Sequence, residues 1–321
     1  MTIRPIGRSG IFIFWLKIGL TVAGLVCAGL SAAQTWRFAV IGDVPYSDYE
    51  RAELPKMLDA IAAHQAEFVA HVGDFKHGKD RCDDTVFLDR RRVFDASLIP
   101  FIFVPGDNEW TDCERISNGA YDPLERLNKL RGLFWYDHRS LGQNKLNLER
   151  QAGEYTEHSR FRLGPVLFVT LNVPGGNNNR GMADQPKAEF LSRNPVVLNW
   201  LKESFELARR DHLKGIVVLF QANPDFKHFS QGFPHNGYKA LLESLRAETQ
   251  NFPGQVVAIH GDTHTSRIDQ PLRDLTGNTI ANFQRVETFG YPVMGWTLGV
   301  IDPGHPGLFR FETHPWPAKT P

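Results

Sequence analysis

Ile99-Pro100-Phe101-Ile102-Phe103-Val104-Pro105-Gly106-Asp107-Asn108-Glu109-Trp110 passes from an apolar run into a Gly-Asp pair and a polar burst. Gly permits positive φ and Asp bonds its own backbone, so one such junction is an ordinary strand-to-turn signal. The junction recurs three times, in Trp36-Arg37-Phe38-Ala39-Val40-Ile41-Gly42-Asp43, in Phe68-Val69-Ala70-His71-Val72-Gly73-Asp74 and in Val256-Val257-Ala258-Ile259-His260-Gly261-Asp262-Thr263-His264. Four copies call for a common cause.

Working outward, residues 53–67 carry Leu54, Met57, Leu58 and Ile61 at helical spacing, and residues 86–96 place Phe87, Val93 and Phe94 on one face. Strand, helix, strand, helix, strand, with strands apolar on both faces, implies a parallel sheet covered by helices. Ligands of such sheets bind beyond the carboxyl ends of the strands, where Asp43, Asp74 and Asp107 stand. Further on, residues 121–134 read as a helix and 135–147 as a loop carrying His138. Residues 154–163 and 166–171 read as antiparallel strands about Gly164-Pro165. The Asn-rich run 172–181 is a loop, from turn chemistry or as a substrate-facing segment. Residues 196–210 and 238–250 read as helices and 216–220 as a buried strand. The closing strands are 280–290, 296–301 and 308–312.

The chain has 321 residues, 42% hydrophobic and 22% charged, with zero formal net charge, as in an ordinary globular protein. Nothing in that balance favours nucleic acid. Arg4 and Arg8 precede the apolar residues 11–30, and Ser31-Ala32-Ala33 offers the small residues of a cleavage site. Residues 1–33 therefore read as an export signal ahead of a single domain, 34–321, in a periplasmic or secreted protein. The alternative is an uncleaved membrane anchor of about 20 residues. Once the leader and its Cys27 are removed, Cys82 and Cys113 remain, and in an oxidising compartment an even pair is most simply a disulfide.

Carboxylates gathered at several strand ends would repel one another unless cations held them, so Asp43, Asp74, Asp107 and Asp262, with His264 beside them, suggest a metal site. The order of motifs resembles that of the calcineurin-like metallophosphoesterases: GDxH, GDxx, GNH followed by an acid, a His shortly before Pro, and GHxH. This chain has Gly42-Asp43-Val44-Pro45, Gly73-Asp74-Phe75-Lys76, Gly106-Asp107-Asn108-Glu109, Gln221-Ala222-Asn223-Pro224 and Gly261-Asp262-Thr263-His264. The resemblance implies a four-layer α/β/β/α sandwich with the metal site at the carboxyl ends of the strands. It also implies two divalent ions and a small phosphoester substrate, a monoester or diester hydrolysed by metal-activated hydroxide.

Residue by residue, Asp43 and Asp74 match a first-metal ligand and the bridging carboxylate, and His264 matches the closing imidazole. Asp107 replaces a ligating Asn and Asp262 a ligating His. Gln221 or Asn223 takes the place of the His before Pro, and Pro45 cannot coordinate at all. Exchanging imidazole nitrogen for carboxylate oxygen favours Mn²⁺, Mg²⁺ or Ca²⁺ over Zn²⁺. Asn108 stands where the family has the His near the leaving group, and an amide cannot act as a general acid. His77, on the loop after Asp74, is the best substitute, ahead of His71, which alternates within a strand and reads as a core residue, and His260, which reads as bracing the sheet edge. An alternative function on the same fold is a catalytically impaired protein that binds metal or an anion without turnover. In a third reading the Gly-Asp turns are purely structural and the protein is a surface interaction module.

Overall fold

The computed structural model describes residues 1, 2, 7, 10, 34–182, 184–231 and 237–317. The chain forms two units, residues 1–32 and 33–321, and every described strand and helix lies in the second. The leader assigned to residues 1–33 lies almost wholly outside the described residues. Among the described residues no helix is long and apolar enough to cross a membrane.

Strands β1 (Trp36–Ile41), β2 (Val69–His71) and β3 (Phe101–Phe103) are parallel neighbours, with Ile41 opposite His71 and His71 opposite Phe103. Because they run the same way, the Gly-Asp pairs that follow them emerge at one edge. The sheet is mixed rather than wholly parallel, because β11 (Gly295–Ile301) lies antiparallel on β1 and β12 (Phe309–Pro315) antiparallel on β11. The second sheet has the order β4 (Glu149–Arg150), β5 (Ser159–Leu163), β6 (Val166–Thr170), β7 (Gly215–Leu219), β8 (Gln255–His260), β10 (Phe283–Glu287), β9 (Arg267–Asp269). Strands β6, β7, β8 and β10 are parallel, so their carboxyl ends also share an edge.

Helices α1 (Asp48–Ala63), α2 (Asp84–Asp95), α3 (Pro123–Phe134), α4 (Ala188–Arg210) and α5 (Lys239–Gln250) complete the layers. Alternation along the strands shows why four layers form. In β1, Ala39 and Ile41 pack with Leu54, Met57 and Ile61 of α1, whereas Phe38 and Val40 pack with Phe168, Val217, Leu219, Val257 and Ile259 of the other sheet. Leu167 and Val169 of β6 turn the opposite way, onto Trp200, Leu201 and Phe205 of α4 and Leu241 and Leu245 of α5. Apolar residues on both faces of a strand thus meet a helix on one side and a sheet on the other. The inter-sheet core is strongly aromatic, with Phe38 edge-on to Phe168 at 4.9 Å and Phe68 edge-on to Phe161 at 5.0 Å. Each such buried ring contributes about 2–3 kcal/mol.

Two helices start earlier than their apolar periodicity predicts. Helix α1 begins at Asp48, where Ser47 Oγ accepts the Glu50 N–H at 3.2 Å, and it carries Pro55 inside. Helix α4 begins at Ala188 and passes through Pro195. Both prolines invite a reading that starts the helix beside them, yet packing of the buried face keeps each helix continuous. Strand β9 is exposed and carries no apolar alternation to announce it. Cys82 and Cys113 form the expected disulfide, tying the loop after β2 to the loop after β3.

Candidate functional site

The four Gly-Asp junctions have a steric cause. A Cβ on Gly106 would collide with Asp74 Oδ1, and one on Gly261 would collide with Asp43 Oδ2. At Gly106 and Gly261 the glycine of one strand end is thus the seat of a carboxylate from another, whereas a Cβ on Gly42 would meet the Thr288 side chain and one on Gly73 the Gln221 side chain. Asp43, Asp74 and Asp262 have φ of 51°, 60° and 80°, a left-handed conformation that Asp tolerates better than most residues. His264 shares it at 56°. Four non-glycine residues held there at strand ends of the two sheets mark a site where local strain is kept for geometry.

The acids are bound to one another through backbone and amide groups. The Asp262 N–H donates to both Asp43 carboxylate oxygens at 3.1 Å. Asp74 Oδ1 accepts the Asn108 N–H at 3.1 Å, and its Oδ2 accepts from Gln221 Nε2 at 3.2 Å. Glu109 Oε1 accepts from the N–H groups of Gly106 (2.6 Å) and Asp74 (3.1 Å). His264 Nε2 lies 3.6 Å from Asp43 Oδ1, and its Nδ1 pairs with the Tyr291 carbonyl at 2.8 Å. Asp107 arrives from the loop after β3 with Oδ1 buried and no hydrogen-bond partner. Gly175 lets the loop after β6 close over it, since a Cβ there would lie 2.7 Å from that oxygen.

Gln221 and Asn223 enter differently. Gln221 sends its side chain into the site, touching Asp74 and accepting the Gly175 N–H. Asn223 donates its backbone N–H to Asp262 Oδ2 at 2.8 Å, while its side-chain oxygen accepts the Asp225 N–H at 3.1 Å. Asn108 Nδ2 donates to Tyr46 Oη (2.9 Å) and to the Lys76 carbonyl (3.1 Å). His77 sits one layer out, with its ring edge-on to Tyr46 at 5.4 Å and its Nδ1 accepting the Lys79 N–H. His71 is a brace: Nε2 pairs with the Val44 carbonyl at 2.7 Å and Nδ1 accepts the Gly73 N–H, which fixes its tautomer. His260 is fully buried, with Nδ1 on the Gly261 carbonyl. Burial pushes His71 down to about 4 and His260 to about 3, so both stay neutral.

Tyr46 belongs to no motif of the sequence. Its hydroxyl donates to Asp74 Oδ2 at 3.1 Å, lies 3.5 Å from Asp43 Oδ1 and accepts from Asn108, so it stands between the two acids that end β1 and β2. The signal available was its position beside Pro45, one residue past a motif place that has lost its imidazole.

Electrostatically the site is starved of positive charge. Burial, then repulsion from Asp262, raises Asp43 well above the usual carboxylate range; burial, then Asp107, does the same for Asp74. Burial lifts Glu109 and Asp262 to about 7. Lys76 is fully buried nearby, but its ammonium donates to the carbonyls of His77 and Asp80.

Among the described residues no three His, Cys, Asp or Glu side chains close into a ready-made metal cage. The oxygens of Asp43 and Asp74 are engaged by Tyr46, Gln221 and backbone N–H groups. The donor set nevertheless fits hard divalent cations: several buried carboxylates converge, each raises the others' proton affinity, and Asp107 Oδ1 is a buried acceptor with nothing to accept.

A two-sheet α/β/β/α sandwich whose strand ends gather acids, an imidazole and an amide has the architecture of a metallophosphoesterase. The calcineurin-like phosphoesterase family matches residues 37–266, and the chain belongs to that family. No curated protein matches the sequence significantly. Among solved structures, a purple acid phosphatase from yellow lupin (Lupinus luteus) seeds aligns with TM-score 0.51 at 10% identity, over 88% of this chain and 52% of its own. This chain thus spans about half the length of the lupin enzyme. A dimetal phosphatase from Danio rerio aligns with TM-score 0.49 at 15% identity, over 82% of this chain and 92% of its own.

Proposed function

We propose that the protein is an exported, metal-dependent phosphoesterase acting on a small phosphomonoester or phosphodiester. The observation that carries the reading is the buried acid cluster at the strand ends, with an unpartnered oxygen on Asp107 and local negative charge that protein cations do not balance. Asp43, Asp74, Asp107, Asp262 and His264 would hold divalent ions, with an amide oxygen from Gln221 or Asn223, and the oxygen-rich set favours Mn²⁺, Mg²⁺ or Ca²⁺ over Zn²⁺. When bound, such ions supply Lewis acidity to a phosphoryl oxygen and acidify a water.

The remaining work falls to side chains of this protein. Tyr46 and Asn108 hold each other and Asp74, which orients the acid shared between the two halves of the site. The Asn108 amide cannot deliver a proton to the leaving group, and both its N–H groups are taken by Tyr46 Oη and the Lys76 carbonyl. His77, edge-on to Tyr46, is the nearest imidazole suited to that proton transfer.

The test is to strip the protein with chelator, restore Mn²⁺, Mg²⁺, Ca²⁺ and Zn²⁺ singly, and assay p-nitrophenyl phosphate and bis-p-nitrophenyl phosphate. Hydrolysis restored by Mn²⁺, Mg²⁺ or Ca²⁺ and abolished in Asp74→Ala is the expected result. No restored hydrolysis, or full activity in Asp74→Ala, overturns it. The second reading, a metal or anion binder without turnover, is favoured by Asn108, whose amide N–H groups are already engaged by Tyr46 and Lys76. One tightly bound ion per chain with no hydrolysis would establish it.

A further inference from the structure

Beside Asp262 opens a cleft of about 580 Å³, walled by the short helix Phe226–Ser230, by β9 and by β10. Its link to the acid cluster is Asn223, which lines the cleft and gives its N–H to Asp262. The wall bears Lys227, Arg267, Arg273 and Arg285 against Asp225 and Asp269. Arg285 pairs with Asp269 and lies over the Phe226 ring, and Arg267 Nε is 2.8 Å from Glu287. Lys227 and Arg273 carry no ion pair to any described residue, so the cleft keeps excess positive charge directly beside a site crowded with acids.

That juxtaposition matters for any anionic substrate, which the acid cluster by itself repels and a neighbouring basic cleft attracts. We propose, building on the phosphoesterase reading, that this cleft is a subsite for a second anionic group on the substrate. The favoured substrates are phosphoesters whose remainder carries a further phosphate or carboxylate. Lys227 and Arg273 are its anion-recognising residues, through charge-assisted hydrogen bonds. Arg267 and Arg285, already paired with acids, form the rigid wall. The volume is that of an ordinary small-molecule pocket and accepts a sugar- or nucleoside-sized body between the two anions.

The experiment compares the metal-loaded enzyme with its Lys227→Ala/Arg273→Ala variant on matched substrates. Adenosine 5′-phosphate against adenosine 3′,5′-bisphosphate tests a second phosphate, and glycerol 3-phosphate against 3-phosphoglycerate tests a carboxylate. The wild type is expected to prefer at least one doubly anionic substrate in kcat/KM by roughly tenfold, mainly through KM. The variant is expected to lose that preference while its kcat/KM for p-nitrophenyl phosphate stays within about twofold. No preference in either pair, or an equal loss on p-nitrophenyl phosphate, overturns the proposal.

Should no phosphoester be hydrolysed at all, the phosphoesterase reading falls separately, and the cleft is decided by calorimetric binding of adenosine 3′,5′-bisphosphate to chelator-treated protein. Binding that weakens roughly tenfold in the variant, with an unchanged melting temperature, sustains an anion site. Binding that is absent or unaffected by the variant refutes it.

Discussion

Tyr46→Phe removes one oxygen from the centre of the site and leaves the ring. That ring is held edge-on to His77 at 5.4 Å and to His264 at 5.3 Å and is stacked on Tyr291 at 6.0 Å, so phenylalanine should occupy the same place. Two hydrogen bonds disappear, the one donated to Asp74 Oδ2 and the one accepted from Asn108 Nδ2. A hydrogen bond to a charged group is worth about 1.5–3 kcal/mol. Asp74 keeps Gln221 and the Asn108 N–H, and Asn108 keeps the Lys76 carbonyl, so the lower part of that range applies. With metal saturating, kcat/KM should fall about 10- to 30-fold, and the calorimetric metal affinity should fall with it because Asp74 is less well oriented. Since Asn108 acts through the same oxygen, Tyr46→Phe and Asn108→Ala should couple by about 1 kcal/mol in a double-mutant cycle. If Tyr46→Phe leaves both kcat/KM and metal affinity within twofold of wild type, or if the two effects simply add, Tyr46 does not position the site.

Three further outcomes follow from the surrounding framework. Glu157 has a fully buried carboxylate gripped by Arg131 through two hydrogen bonds of 2.8 Å and by Asn172 at 3.0 Å, so Glu157→Gln should cost about 3 kcal/mol in urea unfolding, and a loss below about 1 kcal/mol would contradict this. His158 is fully buried and burial lowers it to about 4, against about 6.5 in an unfolded chain. Its neutral form therefore stabilises the fold fully above pH ~6.5, and the contribution is lost as pH falls through about 4. The stability difference between wild type and His158→Gln should shift by about 3 kcal/mol between pH 7 and pH 4, and parallel pH profiles would refute the assignment. The Cys82–Cys113 bridge spans 31 residues, so Cys82→Ser/Cys113→Ser should lose up to about 4 kcal/mol, and the wild type should melt lower in dithiothreitol. An unchanged melting temperature on complete reduction would show that the loop closure contributes nothing.

The strand ends were legible because their signal is local. An apolar run, a glycine and an aspartate are read from neighbouring letters, and the structure adds the reason for the glycine: a carboxylate from another strand, at Gly106 and Gly261, or the side chain of Thr288 or Gln221, at Gly42 and Gly73, lies where its own side chain would be. Helix starts were less legible. Ser47-Asp48-Tyr49-Glu50 holds an N-cap signal that the apolar periodicity of residues 53–67 obscured, and both early-starting helices run through a proline, Pro55 and Pro195. Tyr46 and Gly175 carry no motif; they matter only because folding brings a phenol to Asp74 and a loop to Asp107.

The sequence by itself determined the order of the main strands and helices, though not β4 or β9, together with the family resemblance, the pairing of the two cysteines and the identity of the crowded acids, since each depends on pattern along the chain. Tertiary structure alone decided that Gln221 and not Asn223 turns its side chain toward Asp74, that His71 is locked between the Val44 carbonyl and the Gly73 N–H, and that a phenolic hydroxyl stands between Asp43 and Asp74. It alone placed Lys227 and Arg273 along a cleft beside Asp262. The physical reason is that which way a side chain turns, and what it meets there, is set by close packing between residues far apart in sequence, and single-chain periodicity holds no record of those contacts.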